Sequence, residues 1–216
     1  TALLIIHSQY GYRDIAAWGD GASNPGYESN VSNLIAKFRS IFAATPQGER
    51  PIIIHVQFKT VWTDSPLFTG KPNGPPTPPK PDDPPRPPSD EILMTSHGHS
   101  VFINTPLEFL LNKKGIKTLL IAGIPTDYAV STAVRSAQNL ALTGKWGGRG
   151  NMEDNNEGDN GELAVDMPRI ILVHDATRAF GKGGVDAETV HRVHVESLKE
   201  FAEVRSAHEV ISALGQ

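Results

Sequence analysis

Cysteine is absent from all 216 residues. That absence excludes disulfide scaffolds, thiolate metal sites and thiol catalysis. Long apolar runs are missing as well: the hydrophobic stretches are strand-length, well short of the about 20 residues a membrane-spanning helix needs. No charged-then-apolar leader precedes Thr1, so neither a signal peptide nor a membrane partner is expected and a cytoplasmic location is favoured. An excess of basic residues is lacking too. The 20 Lys and Arg against 24 Asp and Glu give a formal net charge of −4, which argues against nucleic acid as a partner.

The chain is 38% hydrophobic, enough at this length for residues 1–216 to bury a full core as one domain. Short β-branched runs alternate with segments of helical periodicity, the pattern of an α/β sheet covered on both faces. Strands are expected over about residues 2–7, 51–57, 91–95, 117–122 and 169–174 and near Val204, and helices over 28–43, 106–112, 126–142, 187–201 and 207–214. Thr126 is placed to cap the third helix, and Pro106 falls in the first turn of the second. Two inserts interrupt the alternation. Residues 71–88 hold ten prolines, which exclude helix and central strand and favour a stiff polyproline II arm. Residues 144–168 are rich in Gly, Asn and acid, with Trp146 and Arg149 near the start. A segment of that length is expected to serve as a lid or an oligomer contact.

Residues 119–130, Leu-Leu-Ile-Ala-Gly-Ile-Pro-Thr-Asp-Tyr-Ala-Val, read as a buried strand passing through a tight turn into a helix, with Ala129 in its first turn. Unpaired N–H groups and the positive dipole end of such a helix would stabilise a thiolate or an oxyanion. The segment resembles the motif of the isochorismatase and nicotinamidase-like cysteine hydrolases, a strand followed by Gly-hydrophobic-x-Thr-x-x-Cys-Val. Ala129 stands where that family has its cysteine. The run Ala2-Leu3-Leu4-Ile5-Ile6-His7-Ser8-Gln9 resembles the family's first strand, which ends in a pattern like Ile-Asp-x-Gln, with His7 at the aspartate. Ser100-Val101-Phe102, ahead of Thr105-Pro106-Leu107, resembles the family's Ser-x-Phe element. The family's lysine lies six residues before that phenylalanine, which is Ser96 here. Val173-His174-Asp175-Ala176 and the stretch from Asp186 to Arg192 are similar to the family's last strand and helix.

The resemblance implies a six-stranded, mainly parallel sheet of order 3-2-1-4-5-6 in a three-layer domain, an order that right-handed crossovers also favour. It further implies a cis bond at Ile124-Pro125, a homo-oligomer, and His7, Ser96 and Ala129 as the triad-equivalent positions, with the Asp-Lys-Cys chemistry gone. Strands one and four end at the topological switch point, so His7 and Ala129 are expected to face one crevice, joined by Ser96 from strand three.

The candidate catalytic residues are His7, Ser96, His97 and His99. Imidazole can act as acid or base near neutral pH, and Ser96 could attack if a histidine activates it. Candidate substrate contacts are Gln9, Tyr10, Ser100, Phe102, Pro125, Asp127 and Tyr128, with the mouth near Tyr10 and Phe102. Pro125 has no N–H, which removes one donor from the oxyanion hole that the resemblance implies, a loss of about 2.7–4 kcal/mol in an acyl transfer. His7, His97 and His99 could in principle supply three nitrogen ligands. No carboxylate or cysteine spacing supports that, and the Asp-x-His pattern of metal-binding nicotinamidases is not found after strand two, so no metal or cofactor is expected. His55, His191, His194 and His208 read as scaffold.

Exchange of cysteine for alanine and lysine for serine predicts a roomier, more neutral pocket for a small organic molecule, with histidine the only group titrating near neutral pH. The favoured function is a repurposed small-molecule enzyme, a lyase, isomerase or cyclase using His7 or pocket shape. The alternative is a catalytically inactive binding or assembly protein, and the third reading is a hydrolase using water or serine activated by histidine.

Overall fold

All five residues of β1 (Ala2–Ile6) are buried, because alternate side chains point to two faces that both carry helices. Ala2, Leu4 and Ile6 enter one core cluster, Leu3 and Ile5 the other. The computed structural model describes residues 1–13, 15–68, 90–147 and 167–214. Around β1 it assembles β2 (Ile52–Phe58), β3 (Ile92–Ser96), β4 (Thr118–Gly123), β5 (Arg169–Thr177) and β6 (Glu203–Arg205) in the order β3-β2-β1-β4-β5-β6. Every neighbouring pair is parallel. The expected sheet and strand order are therefore present, and β1 and β4 lie side by side with Ile6 opposite Gly123.

One face is covered by α1 (Tyr27–Ala44) and α5 (Ala207–Ala213), whose Tyr27, Leu34, Phe38 and Val210 pack on Leu3, Ile5 and Leu120. The other is covered by α2 (Leu107–Lys113), α3 (Ser131–Leu142) and α4 (Ala187–Leu198). The buried stripe of α3, Ala133, Val134, Ala137 and Ala141, follows the helical repeat with small residues that let the helix lie close to the sheet. Asp186 caps α4 by accepting the Thr189 N–H at 2.9 Å, and Ser206 with Glu209 forms a capping box for α5. Gly123 permits the β1–β4 approach: its φ is 129°, and a Cβ there would lie 2.1 Å from the Ile6 carbonyl oxygen.

Several boundaries differ from the sequence-based expectation. β1 stops at Ile6, because His7 has a φ of 50° that takes it out of the strand. Residues 126–142 are not one helix. Thr126–Val130 forms a π-type turn, with the Val130 N–H on the Pro125 carbonyl at 3.0 Å, before α3 begins. Thr126 is not an N-cap, since its hydroxyl faces His191 Nδ1 at 3.0 Å instead. β5 runs on to Thr177 through a register shift against β4, and α4 ends at Leu198.

The segment 71–88 and most of the second insert, 148–166, lie outside the described residues, and with them the expectations of an arm and of a lid or oligomer contact. The flanks of the second insert are within them. Trp146 is fully buried, and its ring N–H donates to the Ile116 carbonyl at 2.9 Å. Gly147, at φ 71°, approaches Pro168 so closely that a Cβ would lie 2.2 Å from the proline ring. Among the described residues no helix is long and apolar enough to cross a membrane.

Candidate functional site

His7 occupies the end of β1 in the left-handed region, where non-glycine residues are uncommon. Its N–H donates to the Val56 carbonyl and its carbonyl accepts from the Gln9 N–H, both at 2.8 Å. The side chain is buried, with Nε2 3.2 Å from Ser96 Oγ at the end of β3. Ser96 Oγ also donates to the Gly98 carbonyl at 3.0 Å. A carbonyl only accepts and a hydroxyl has one proton, so His7 Nε2–H donates to Ser96. Nδ1 therefore carries the lone pair, and it is buried with no partner among the described residues. Burial, reinforced by His99, pushes the imidazole down to about 3, because the imidazolium would lose its hydration. This corrects the expectation of near-neutral titration at His7. Ala129 is fully buried in the core cluster that holds Ile6, Val56 and Phe102.

An aromatic row covers this floor. Phe58 packs on His7 with ring centroids 5.2 Å apart, His99 stacks on Phe58 at 6.4 Å, and Tyr128 meets His99 edge-on at 4.8 Å. The Gln9 amide brackets the Phe58 backbone: the Phe58 N–H donates to Oε1 at 2.6 Å, and Nε2 donates to the Phe58 carbonyl at 3.1 Å. Gln9 thus supports Phe58 with both ends of its amide. Phe102 differs from the expected mouth position, since it is buried in the core. Ser100 Oγ lies 3.2 Å from Ser136 Oγ, and exposed His97 has Nδ1 2.9 Å from the Lys59 carbonyl. Tyr10 is partly exposed, with the Arg13 guanidinium 4.4 Å from its ring centre. The Ile124-Pro125 bond is cis. Among the described residues no three His, Asp or Glu side chains are grouped to hold a metal ion. His55 pairs with Glu91 Oε2 at 2.7 Å, which accounts for it as scaffold.

Sequence reasoning passed over Lys182. Its ammonium pairs with Asp127 Oδ2 and stands 6.0 Å from the centre of the Tyr128 ring. The Asp127 side chain is only 9% exposed, and its Oδ1 is buried without a partner among the described residues. Burial, then the neighbouring Tyr128 and Asp127, hold the Tyr12 phenol well above its ordinary range. Lys182 opens a tight turn closed on Val185, with Gly183 and Gly184 at φ 60° and 80°. The available signal was a lysine beside Gly-Gly beyond the C-terminal end of β5, the end where open α/β sheets bind ligands.

Behind the floor, the Thr126 N–H donates to the Arg178 carbonyl at 2.8 Å. Arg178 holds Glu28 with two guanidinium nitrogens and donates to the Ser23 carbonyl at 3.0 Å, anchoring the turn before Ala129 to the start of α1.

A parallel three-layer sheet with a strand-turn-helix element at its switch point is the architecture of the isochorismatase-like hydrolase fold. The sequence profile of the Isochorismatase domain matches residues 1–143, and the chain belongs to the isochorismatase family. It is 26% identical over 219 residues to YrdC of Bacillus subtilis, an uncharacterized isochorismatase family protein, covering 98% of this chain and 94% of that one. The fold is similar to the crystal structure of an isochorismatase-family protein from Chromobacterium violaceum, with a TM-score of 0.74 at 24% identity over 99% of this chain and 93% of that one. It is also similar to a cysteine hydrolase from Pseudomonas syringae, with a TM-score of 0.68 at 17% identity over 99% and 92% of the two chains. Having no cysteine, this member lacks a thiol nucleophile.

Proposed function

We propose that the chain is a non-hydrolytic member of its family that binds a small organic molecule against the aromatic row above His7. The direction of the His7–Ser96 hydrogen bond carries this reading. The Ser96 proton goes to the Gly98 carbonyl, so His7 does not activate the serine. An imidazole pushed down to about 3 is also a weak base for taking a proton from water or substrate at neutral pH. Ala129 supplies no nucleophile. These three facts weigh against hydrolysis and against acid–base catalysis at His7, while the faces of Phe58, His99 and Tyr128 suit a flat organic ligand.

The test is incubation of the protein with nicotinamide, isochorismate and simple aromatic amides, following product release and thermal stability in parallel. The expected result is no product, together with a rise in Tm for those that bind, since a ligand of the folded state alone stabilises by mass action. Product formation that disappears in His7→Gln would overturn the reading.

A further inference from the structure

Resting on that reading of the crevice as a binding site, we propose that residues 10–13 and 15–19 form a strap that opens as a body and uncovers the Tyr128 end of the aromatic row. Two short 3₁₀ turns, Tyr10–Tyr12 and Ile15–Ala17, make up most of it. Among the described residues its backbone hydrogen bonds stay within residues 9–19. The Tyr12 N–H donates to the Gln9 carbonyl at 3.0 Å, that of Arg13 to Tyr10 at 2.9 Å, and those of Trp18 and Gly19 to Ile15 at 2.9 and 3.0 Å. The Trp18 ring N–H closes the segment on itself through the Gly11 carbonyl at 2.7 Å, and the Trp18 and Tyr12 rings pack 4.4 Å apart. The segment can therefore move without losing these bonds. Both of its ends are fixed. Gln9 holds the Phe58 backbone; beyond Gly19, the Asp20 N–H donates to the Gly181 carbonyl and the Gly181 N–H to that of Gly21, both at 3.0 Å. Gly19 and Gly21, at φ 151° and 119°, supply the rotational freedom a hinge needs.

Side chains anchor the strap to the domain. Tyr12 is buried, with its ring within 13° of parallel to that of Phe180 at 6.2 Å, and its hydroxyl interacts with that of Tyr128. Leu67 lies against Gly11, where a Cβ would be 2.6 Å from its Cδ2. A cavity of about 10 Å³, the space of one water, is lined by Tyr12 and Arg13 of the strap and by Ser8, Tyr27 and Arg178. Tyr10, Arg13, Ile15 and Ala17 are exposed. A segment so exposed, with a water-sized gap along its inner side, opens at lower free energy than the sheet. Gln9 and Tyr12 touch the two ends of one row, Phe58 and Tyr128, so an opening that carries Tyr12 away leaves Phe58 in place and bares the Tyr128 hydroxyl. A ligand that touches both Tyr128 and the strap binds the closed form better and holds it shut.

Hydrogen–deuterium exchange of the full chain, followed by mass spectrometry, tests this. Peptides covering residues 10–19 should exchange at least about 100-fold faster than those of β1, each measured against its intrinsic rate. Tyr128→Phe and Tyr12→Phe each remove one hydroxyl of the same contact, keep the ring and its packing, and should speed the strap about three- to tenfold with β1 unchanged. The double variant should go no faster than either single one, because the contact is lost only once. Strap protection equal to that of β1, an unchanged rate in either single variant, or additive effects in the double variant overturns the proposal. Product from nicotinamide would defeat the non-hydrolytic reading, whereas these exchange rates judge the strap alone.

Discussion

Thr126 and His191 face each other across 3.0 Å, Oγ1 to Nδ1, and tie the turn ahead of Ala129 to α4. On its other side, His191 Nε2 lies 3.2 Å from Asn24 Nδ2, whose two N–H groups are shared among this nitrogen and the His174 and Thr177 carbonyls. An amide nitrogen only donates, so Nε2 accepts and Nδ1–H donates to Thr126. A second proton would set N–H against N–H. Burial, partly offset by Glu188, pushes this imidazole down to about 4.

Folding stability should therefore fall as pH drops from about 6.5. Below that pH the unfolded imidazoles bind protons while the folded ones stay neutral, so stability rises with pH across the window. The window closes near 4 for His191 and near 3 for His7. Each should contribute up to about 1.4 kcal/mol per pH unit within it. Urea melts at about pH 6.5 and pH 5 measure the difference, which should shrink in His7→Gln and His191→Gln. Equal stability of the unmodified protein at the two pH values would refute both assignments.

Thr126→Val keeps the side-chain shape but leaves the His191 Nδ1–H without its acceptor. It should destabilise the fold by about 1–3 kcal/mol, read as a lower urea midpoint with an unchanged m-value. A loss within experimental error would mean that the hydrogen bond runs elsewhere.

Gly123→Ala should be far more damaging, above about 4 kcal/mol or non-folding. The added Cβ meets the Ile6 carbonyl oxygen, nitrogen and carbon at 2.1, 2.6 and 2.8 Å, all backbone of the adjacent strand. Near-normal Tm in this variant would show that β1 and β4 separate easily.

Ala129→Cys alone should yield no amide hydrolysis, because neutral His7 and Ser96 supply neither a strong base nor a charge partner for a thiolate. The triple change His7→Asp, Ser96→Lys and Ala129→Cys should produce a thiol with a depressed pKa, read from the ultraviolet absorbance of its thiolate across a pH titration, a readout that the burial of position 129 does not block. Its turnover of nicotinamide should stay slow, since Pro125 still has no N–H. Brisk hydrolysis by the single variant would contradict the charge argument.

The sheet was legible because strands buried on both faces read as unbroken apolar runs, as in Ala2–Ile6 and Thr118–Gly123. The meeting of His7 with Ser96 followed from strand order, since β2 pairs in parallel with both β1 and β3 and the three end together. The rest depended on distant partners. Thr126 has the chemistry of a cap, and only the buried His191, far along the chain, draws its hydroxyl away. Gln9 could equally clamp a backbone or face a ligand, and its register beside Phe58 decided between them. The glycines beside Lys182 mark a turn, and no local pattern says that this turn reaches Asp127. The lowered affinity of His7 for a proton reflects burial, a property of the assembled fold.

The near-contact of Gly147 with Pro168 bears on how this fold tolerates change in length. The two residues stand side by side, with Gly147 fixed by its neighbour Trp146 and by the Lys117 ammonium on its carbonyl at 2.8 Å. Whatever is spliced between those two residues closes a loop whose entropic cost grows only with the logarithm of its length, about 0.6 kcal/mol per doubling. A stretch of another length joined between Gly147 and Pro168 therefore adds only that small closure cost and needs no strand to move, which makes this pair a grafting point for new sequence.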